Sequence, residues 1–207
     1  EPINLNTGNF ILESQDFAMN VLDETFTFSR AYNSSAAGVF SIFGMGWAFS
    51  GLSRVASDDQ GATVMLEDGT KYYFAKQADG AYANTLTTTM KLSWDTDHFV
   101  LKNQDTTWIY NAQGLVSKNI DKQGRETTFT YNQGLPKTIT LKDGKTMTFH
   151  YNAENLVDEI RLSETDKVSY GYDANLNLIS FTDQTGAVIE YTYDADHNMT
   201  SWTNQNE

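Results

Sequence analysis

The sequence predicts an all-β protein built from stacked antiparallel β-hairpins. Three observations support this fold class: a high content of Thr, Tyr, Phe, Ile and Val, short alternating runs broken by Gly, Asn or Asp, and an internal repeat. β-Branched and aromatic side chains suit a pleated strand, whereas Gly, Asn and Asp suit the turns between strands. The most helix-like run, Phe17–Leu22, is short and uncapped, so we expect little helix.

The overall charge narrows the function classes. The 207 residues carry 14 basic and 27 acidic side chains, which gives a net charge of −13. Nucleic-acid grooves and anionic membrane surfaces are bound through basic patches, so we expect no nucleic-acid partner and no membrane insertion. Because the chain has no cysteine, disulfides, thiolate metal sites and a cysteine nucleophile are excluded.

Alternating aromatic residues mark a strand in the first part of the chain. Phe26, Phe28 and Tyr32 are spaced so that they share one face of an extended segment. Two Asp-Gly pairs, Asp68-Gly69 and Asp143-Gly144, lie between strand-like runs. Two-residue hairpin turns need positive φ angles, which Gly and Asp accept at low cost, so both pairs predict tight hairpins.

The second half of the chain is a repeat of five units whose tyrosines are 20 or 21 residues apart. Each unit has a Tyr, then Asn or Asp, then a Gly or Asn suited to a left-handed backbone position. The motif residues are Tyr110, Asn111 and Gly114; Tyr131, Asn132 and Gly134; Tyr151, Asn152 and Asn155; Tyr172, Asp173 and Asn177; and Tyr193, Asp194 and Asn198.

Each repeat reads as one hairpin. Its first strand ends on two aromatic residues two positions apart, such as Tyr170 and Tyr172, so the rings of successive units form a stripe on one face that we expect to be buried. The Asn or Asp after the tyrosine can accept a hydrogen bond from the backbone two residues on, which makes it part of the turn. Successive hairpins would then stack into one long antiparallel sheet.

The Tyr-Asn/Asp-x-x-Gly/Asn-x-Leu unit resembles the YD repeat of bacterial Rhs and wall-associated polymorphic toxins, and of the related teneurin and Tc toxin shells. The N-terminal part resembles the segment that opens the repeat region in Rhs proteins. Its motif residues are Gly8, Arg30, Tyr32, Asn33, Gly44, Gly46 and Trp47. The resemblance divides the chain into an opening segment (1–55), degenerate hairpin repeats (56–109) and five YD repeats continuous with the same sheet (110–207).

The resemblance implies a role as well as a fold. In that family many repeats wind into a β-shell or spiral that encloses a toxic C-terminal region. This chain would then be a non-catalytic scaffold, part of a bacterial protein that is secreted or on the cell surface, with its export signal outside this chain. The implied partners are the remaining repeats of a parent chain, a β-edge of a second copy or another subunit, and an enclosed toxin segment.

Motifs for metal binding and catalysis have structural explanations. Asp173-x-Asn175-x-Asn177 resembles the start of a calcium loop, but the required Gly and bidentate Glu are missing from the later positions. Gly44-x-Gly46 lacks the rest of a phosphate loop, so we expect a sharp bend beside Trp47. The three histidines, His98, His150 and His197, do not form a motif with a nucleophile. We therefore expect no catalytic residue, no metal and no cofactor.

An extracellular adhesin or carbohydrate-binding surface module is the alternative function. Tyr and Trp rings stack on sugar rings, and Asn and Asp bond sugar hydroxyls, so glycans are the alternative partner. The two functions differ in whether the repeat aromatics are displayed or buried. Their two-residue spacing within every unit favours burial.

Overall fold

The computed structural model describes residues 3–4, 9–49, 51–67, 70–87 and 89–204. These residues form 22 strands, and their one helical element is a single 3-10 turn, Ser34–Ala36. The predicted all-β fold class is confirmed. Within the described part of the chain there is no apolar helix of membrane-spanning length.

Strands are numbered in chain order. The opening part contains β1 (Ile3–Asn4), β2 (Asn9–Val21), β3 (Glu24–Asn33), β4 (Phe40–Ser41), β5 (Gly44–Met45) and β6 (Trp47–Phe49). The middle part contains β7 (Arg54–Ser57), β8 (Gly61–Met65), β9 (Lys71–Lys76), β10 (Tyr82–Ala83), β11 (Met90–Asp95), β12 (His98–Asn103), β13 (Thr106–Tyr110), β14 (Val116–Ile120), β15 (Glu126–Asn132) and β16 (Leu135–Thr140). The last part contains β17 (Thr146–Tyr151), β18 (Val157–Arg161), β19 (Lys167–Tyr172), β20 (Leu178–Thr182), β21 (Val188–Tyr193) and β22 (Met199–Asn204).

The chain divides into two compact units. One unit consists of Glu1–Ser50 and Met147–Glu207, and the other of Gly51–Thr146. We call them the outer-chain unit and the middle unit. The division by repeat type that the sequence suggests stays a prediction.

The middle unit contains two sheets with a shared core. One sheet has the order β10-β9-β8-β7, and β11 to β16 pair in sequence order in the other. The pairs between neighbouring strands are antiparallel, as the hairpin prediction requires. Buried residues of both sheets form one cluster that includes Val64 and Phe74 from the first sheet and Leu101, Trp108 and Tyr110 from the second. The first sheet therefore covers the apolar face of the first tyrosine repeats.

The outer-chain unit repeats this two-layer plan. Strands β17 to β22 follow one another as hairpins, and β1, β2, β3 and β6 form a smaller sheet. Rings of the opening part contact rings of the repeats: Phe28 lies 5.9 Å from Phe149, Phe43 lies 5.3 Å from Tyr170, and Trp47 lies 5.4 Å from Tyr191, measured between ring centres. The opening segment therefore covers the aromatic face of the later hairpins.

A β-bulge in β2 controls which residues face this core. The pairing of β2 with β3 shifts register between Gln15 and Phe17, and the adjacent residues Asp16 and Phe17 are both buried. A regular strand would place two neighbours on opposite faces, whereas the extra residue of a bulge allows both to face inward. The helix-like run Phe17–Leu22 is accordingly strand up to Val21, and Leu22 begins the turn.

Four of the five repeat turns have the same length. Gly114 and Asn155 have the expected positive φ, but in the last two repeats the positive φ belongs to Leu176 and His197 rather than to Asn177 and Asn198. Each of these four residues is four positions after its tyrosine. The position in the turn therefore determines which residue has the positive φ, even where that residue type disfavours it. The second repeat is one residue shorter, and its turn has positive φ at both Gln133 and Gly134, between the paired residues Asn132 and Leu135.

Of the two predicted Asp-Gly hairpin turns, the structure describes one. Asp68-Gly69 lies outside the described residues. At Asp143-Gly144 only Gly144 has a positive φ, and the Leu141 N–H donates to the Lys145 carbonyl. The loop is therefore longer than the predicted two-residue turn, and it matches a tight turn followed by one left-handed glycine.

Replacing Gly114 tests how the first repeat turn packs on β7. The Gly114 carbonyl accepts a hydrogen bond from the Val55 N–H, and an added Cβ would lie 1.8 Å from the Val55 carbonyl oxygen. Gly124 has a similar φ of 79° but open space around its Cβ position. We expect Gly124→Ala to cost about 1–2 kcal/mol from backbone strain alone. Gly114→Ala should cost about 2–5 kcal/mol, since a steric clash adds to the strain. Chemical denaturation of both variants measures the difference, and equal losses would contradict the packing described.

Candidate functional site

The candidate site is the docking surface between residues 9–49 of the opening segment and hairpins β17 to β22. At its centre lies Arg30, which is fully buried although it is charged. Strand alternation in β3 places Phe28, Arg30 and Tyr32 on the same inward face. A buried charge must be paired and hydrogen-bonded, so the surroundings of Arg30 decide whether the surface is stable.

Asp16 pairs with Arg30 through two hydrogen bonds. The Arg30 Nε donates to Asp16 Oδ2 over 2.5 Å, and Nη2 donates to Asp16 Oδ1 over 2.8 Å. Asp16 is the extra residue of the β2 bulge, so the bulge brings the carboxylate into the core. Tyr170 of β19 donates its hydroxyl to Asp16 Oδ2 over 2.7 Å. The Asp16 carboxylate therefore joins the opening hairpin to a repeat hairpin.

Aromatic rings enclose the guanidinium group. Its central carbon lies 4.6 Å from the ring centre of Trp47 and 4.9 Å from those of Tyr170 and Phe181. Nη1 has no hydrogen-bond partner among the described residues, so its stabilisation comes from the cation–π contacts. Trp47 belongs to the opening segment and the other two rings to the repeats, so Arg30 contacts both layers.

Burial and the Asp16 carboxylate determine the ionisation states of Arg30 and Tyr170. Burial by itself lowers the pKa of Arg30, but the adjacent Asp16 carboxylate more than offsets this and raises the pKa above its ordinary value. Burial, and then the same carboxylate, raises the pKa of Tyr170 well above the usual range for a phenol. Arg30 is therefore charged and Tyr170 is neutral at physiological pH.

Breaking the ion pair should destabilise the protein strongly. In Asp16→Asn the Arg30 charge stays buried without a counter-charge, and we expect a loss of about 3–5 kcal/mol. Tyr170→Phe removes one hydrogen bond to a carboxylate and should cost about 1.5–3 kcal/mol. Urea denaturation measures both changes. Glu164→Gln is the control because it breaks an exposed contact with Arg161, and the midpoint should hardly move. An Asp16→Asn protein as stable as the wild type would show that the pair does not hold the layers together.

A second group of contacts attaches the opening segment to the last repeat. The Tyr32 hydroxyl donates to the His197 carbonyl over 2.8 Å and accepts from the Met199 N–H over 3.0 Å. The Trp47 Nε1 donates to the Tyr193 hydroxyl over 2.9 Å. Both residues were assigned to the opening motif from the sequence, and both contact the turn or the strands of the fifth repeat.

Gly44 and Gly46 form the sharp bend expected before Trp47. Gly44 has a φ of 93° and Gly46 a φ of 75°. A Cβ on Gly44 would lie 2.7 Å from the Leu176 carbonyl oxygen, and one on Gly46 would lie 2.5 Å from the Tyr32 ring. Glycine is therefore required by conformation and by space at both positions.

The other residues of the opening motif lie at its margin. Asn33 accepts a hydrogen bond on its side chain from the Ser35 N–H over 2.9 Å, and its own N–H donates to the Gly46 carbonyl. Asn33 therefore caps the 3-10 turn and holds the bend. Gly8 lies outside the described residues.

The repeat tyrosines are less buried than predicted. Tyr110 is fully buried, but Tyr131, Tyr151, Tyr172 and Tyr193 are half-buried. The fully buried rings in the later repeats are the preceding aromatics, Phe149, Tyr170 and Tyr191. The second ring stands at the edge of the core because its hydroxyl reaches a polar partner.

The hydroxyls of these tyrosines connect neighbouring strands. Tyr131 donates to the Val116 carbonyl and Tyr172 donates to the Val157 carbonyl, each over 2.7 Å. In both cases the acceptor is 15 residues earlier, on the return strand of the preceding repeat. Tyr110 instead shares a hydrogen bond of 2.7 Å with the Ser53 hydroxyl.

High pH should unfold the protein through these tyrosines. Burial raises the pKa of Tyr110, Tyr131, Tyr151, Tyr172 and Tyr193 above the ordinary value. The folded state favours the neutral phenol, so this contribution to stability is complete below about pH 10 and is lost as the pH rises further. Tyrosinate absorbance and circular dichroism, recorded together, should change together above that pH. Ionisation of every tyrosine with the strand signal intact would contradict this.

The Asn and Asp residues of the motif hold turns. Asp173 Oδ1 accepts from the N–H groups of Asn175 and Asn177, and Oδ2 accepts from the Asn177 side chain. Asn111, Asn152 and Asp194 make the same pair of backbone contacts in their own repeats. Both Asp173 oxygens that a calcium ion would need are thus engaged in the turn.

The histidines have separate surroundings. His98 Nδ1 lies 2.9 Å from an oxygen of Asp97, and His197 Nδ1 lies 2.7 Å from the Asn177 side-chain oxygen. His150 is exposed on β17. Within the described ranges no three His, Asp or Glu residues are grouped as a metal site would require.

Two family models match parts of this chain. The fold and the docking surface define a β-hairpin repeat protein with an integral opening segment. A family model described as Domain of unknown function (DUF6531) matches residues 1–74, and one described as RHS Repeat matches residues 172–204. These matches confirm the resemblance drawn from the sequence: the chain is related to the Rhs, or YD-repeat, family.

Individual relatives are much longer than this chain. The tRNA nuclease WapA of Bacillus subtilis (strain 168) is 33% identical over 132 residues, which is 63% of this chain and 6% of that protein. The tRNA3(Ser)-specific nuclease WapA of Bacillus spizizenii matches with the same identity and the same shares. A solved structure titled "Crystal Structure of TcdB2-TccC3-Cdc42" aligns with 97% of this chain and 14% of its own, at 12% identity and a TM-score of 0.40.

Proposed function

We propose that the chain is a non-catalytic scaffold, part of an Rhs-type β-shell that encloses or presents a toxin or effector region. The observation that supports this most is the use of the repeat aromatics. In the outer-chain unit their apolar face is covered by the chain's own opening segment, and in the middle unit by β7 to β10. The aromatics are thus structural, as a shell wall requires.

The proposed setting follows from the relatives. Rhs-type toxins are secreted or surface proteins of bacteria, and we place this chain there. Its proposed partners are further YD repeats and an enclosed toxin segment. In the described part of the chain β22 is the end strand of its sheet, so a further repeat or another β-edge would extend the sheet there.

An adhesin with a displayed row of aromatic residues is less well supported. Among the described residues the exposed large aromatics include Phe40, Tyr73, Trp94 and Trp202, and they belong to four different strands. Of these four, Trp202 pairs across the strands with a repeat ring, Tyr191. Stacking along a glycan needs rings in a row. The repeat rings that form such a row are buried or half-buried.

The purified chain should have no nuclease activity. The WapA relatives are named as tRNA nucleases, but this chain spans 6% of their length, and the described histidines do not form a site with a nucleophile. Incubation with tRNA should therefore leave the RNA intact. Cleavage that follows the protein through purification and disappears in His98→Ala, His150→Ala or His197→Ala would refute the scaffold assignment.

Protease protection tests the shell itself. In a parent protein that contains this chain with its following repeats, an enclosed terminal region should resist a protease that digests the same region when it is expressed alone. Asp16→Asn should weaken this protection, since it loosens the opening segment. Equal digestion of the enclosed and the free region would contradict enclosure.

A further inference from the structure

A cavity of about 660 Å³ opens on the middle unit, at the place where β7 meets the turn of the first tyrosine repeat. Its walls include Arg54, Thr63, Met65 and Lys71 from three strands, and Gln113 from the turn. This volume falls within the range of roughly 300–1,000 Å³ that is usual for small-ligand sites. None of the lining residues contributes to the docking surface of the outer-chain unit, since all of them belong to Gly51–Thr146.

Strand register brings the two cations of this cavity to the same face. Arg54 pairs with Met65 across β7 and β8, and Met65 pairs with Lys71 across β8 and β9. Directly paired residues point to the same side of a sheet, so Arg54, Met65 and Lys71 form a row. With strands about 4.8 Å apart, the two cationic backbones are roughly 9.6 Å apart, and their long side chains can meet at one anion above Met65.

These two cations have no counter-charge among the residues described. Neither Arg54 nor Lys71 forms an ion pair there, and none of the residues lining the cavity is acidic. Some basic residues of the same unit are paired, since Lys118, Arg125 and Lys142 each contact a carboxylate. Two exposed cations on neighbouring positions of a cavity repel each other unless an anion joins them.

The net charge is distributed unevenly between the two units. The middle unit has 11 basic and 11 acidic residues, whereas the outer-chain unit has 3 basic and 16 acidic residues and so carries the whole net charge of −13. A locally positive cavity is therefore available in a chain whose total charge repels polyanions. That favours a small acidic ligand over a nucleic acid.

We propose that this cavity binds a small carboxylate-bearing sugar, such as a short uronic acid oligosaccharide. The Arg54 guanidinium can bind a carboxylate through two parallel hydrogen bonds, and Lys71 adds a second charge. Thr63 and Gln113 supply hydroxyl and amide groups for sugar hydroxyls, and Met65 supplies an apolar floor for the ring. The inference is independent of the proposed shell function.

The strand edge beside the cavity argues against an acidic peptide as the ligand. An extended peptide would pair with the free edge of β7. That edge is already occupied near Arg54, because the Val55 N–H donates to the Gly114 carbonyl over 2.8 Å and Arg54 forms a bridge with Leu115. A sugar does not need a backbone ladder and uses the side chains instead.

Calorimetric titration of the whole chain with trigalacturonic acid at low salt tests the proposal. Two matched probes accompany it. Galactotriose has the sugar rings but no carboxylate, and triglutamate has carboxylates but no sugar ring. We expect saturable binding of trigalacturonic acid only. Arg54→Ala and Lys71→Ala should each weaken it about tenfold or more, because each removes a charged hydrogen-bonding group. Lys76→Ala is the control, an exposed lysine of the same strand β9 that does not line the cavity.

Each result of these titrations either supports or refutes the proposed site. Melting temperatures equal to the wild type show that each variant is folded, so weaker binding then reflects the site. Equal binding of galactotriose would overturn the role of the carboxylate, and equal binding of triglutamate would overturn the sugar. Unchanged affinity in both Arg54→Ala and Lys71→Ala, or no binding of trigalacturonic acid by the wild type, would refute the site.

Discussion

The aromatic face of the repeat hairpins must be covered, and the architecture of the chain follows from this requirement. A row of hairpins with one apolar face has no core of its own, because the hydrophobic gain comes only when a second layer removes that face from water. Both compact units meet the requirement with a second sheet, and in each the covering strands come earlier in the chain than the hairpins they cover. Asp16 and Tyr170, which bond across the layers, are 154 residues apart.

A buried ion pair at such an interface contributes specificity more than stability. Removing Asp16 and Arg30 from water costs much of what their attraction returns, so an apolar pair of similar volume could hold the layers as firmly. An apolar contact, however, tolerates sliding, whereas a bidentate pair that also accepts from Tyr170 has one satisfied arrangement. The pair thus defines how the opening hairpin sits on the repeats of the same unit.

The fold was predictable from the sequence to a large extent, because hairpin repeats are local. The tyrosine spacing, the turn residues and the two-residue aromatic spacing all act within about 20 residues, so β13 to β22 lie close to where the repeats predict them. The positions of Leu176 and His197 were missed, since residue preference favours Asn or Gly at positive φ and the fixed turn length overrides it.

The docking surface was predictable only as a set of motif residues. Alternation in β3 places Arg30 on the aromatic face. The sequence does not show which of the 27 acidic residues forms the ion pair with it. The answer depends on the bulge at Asp16, which no turn or spacing signal marks. Contacts over more than 100 residues, such as Tyr32 with His197, likewise depend on how the two sheets pack. The one available signal was a charged residue at an inward position of an otherwise aromatic strand face.

The bulge in β2 has a consequence for how related sequences align. Gln15 pairs with Ser29 and Phe17 with Phe28, so the strand on either side keeps the register that it would have if Asp16 were absent. A one-residue insertion at this point therefore adds a carboxylate to the core without moving any other side chain to the opposite face. A homologue without it would show a single gap here. Because such a homologue lacks the Asp16 carboxylate, we expect an uncharged residue at the position of Arg30.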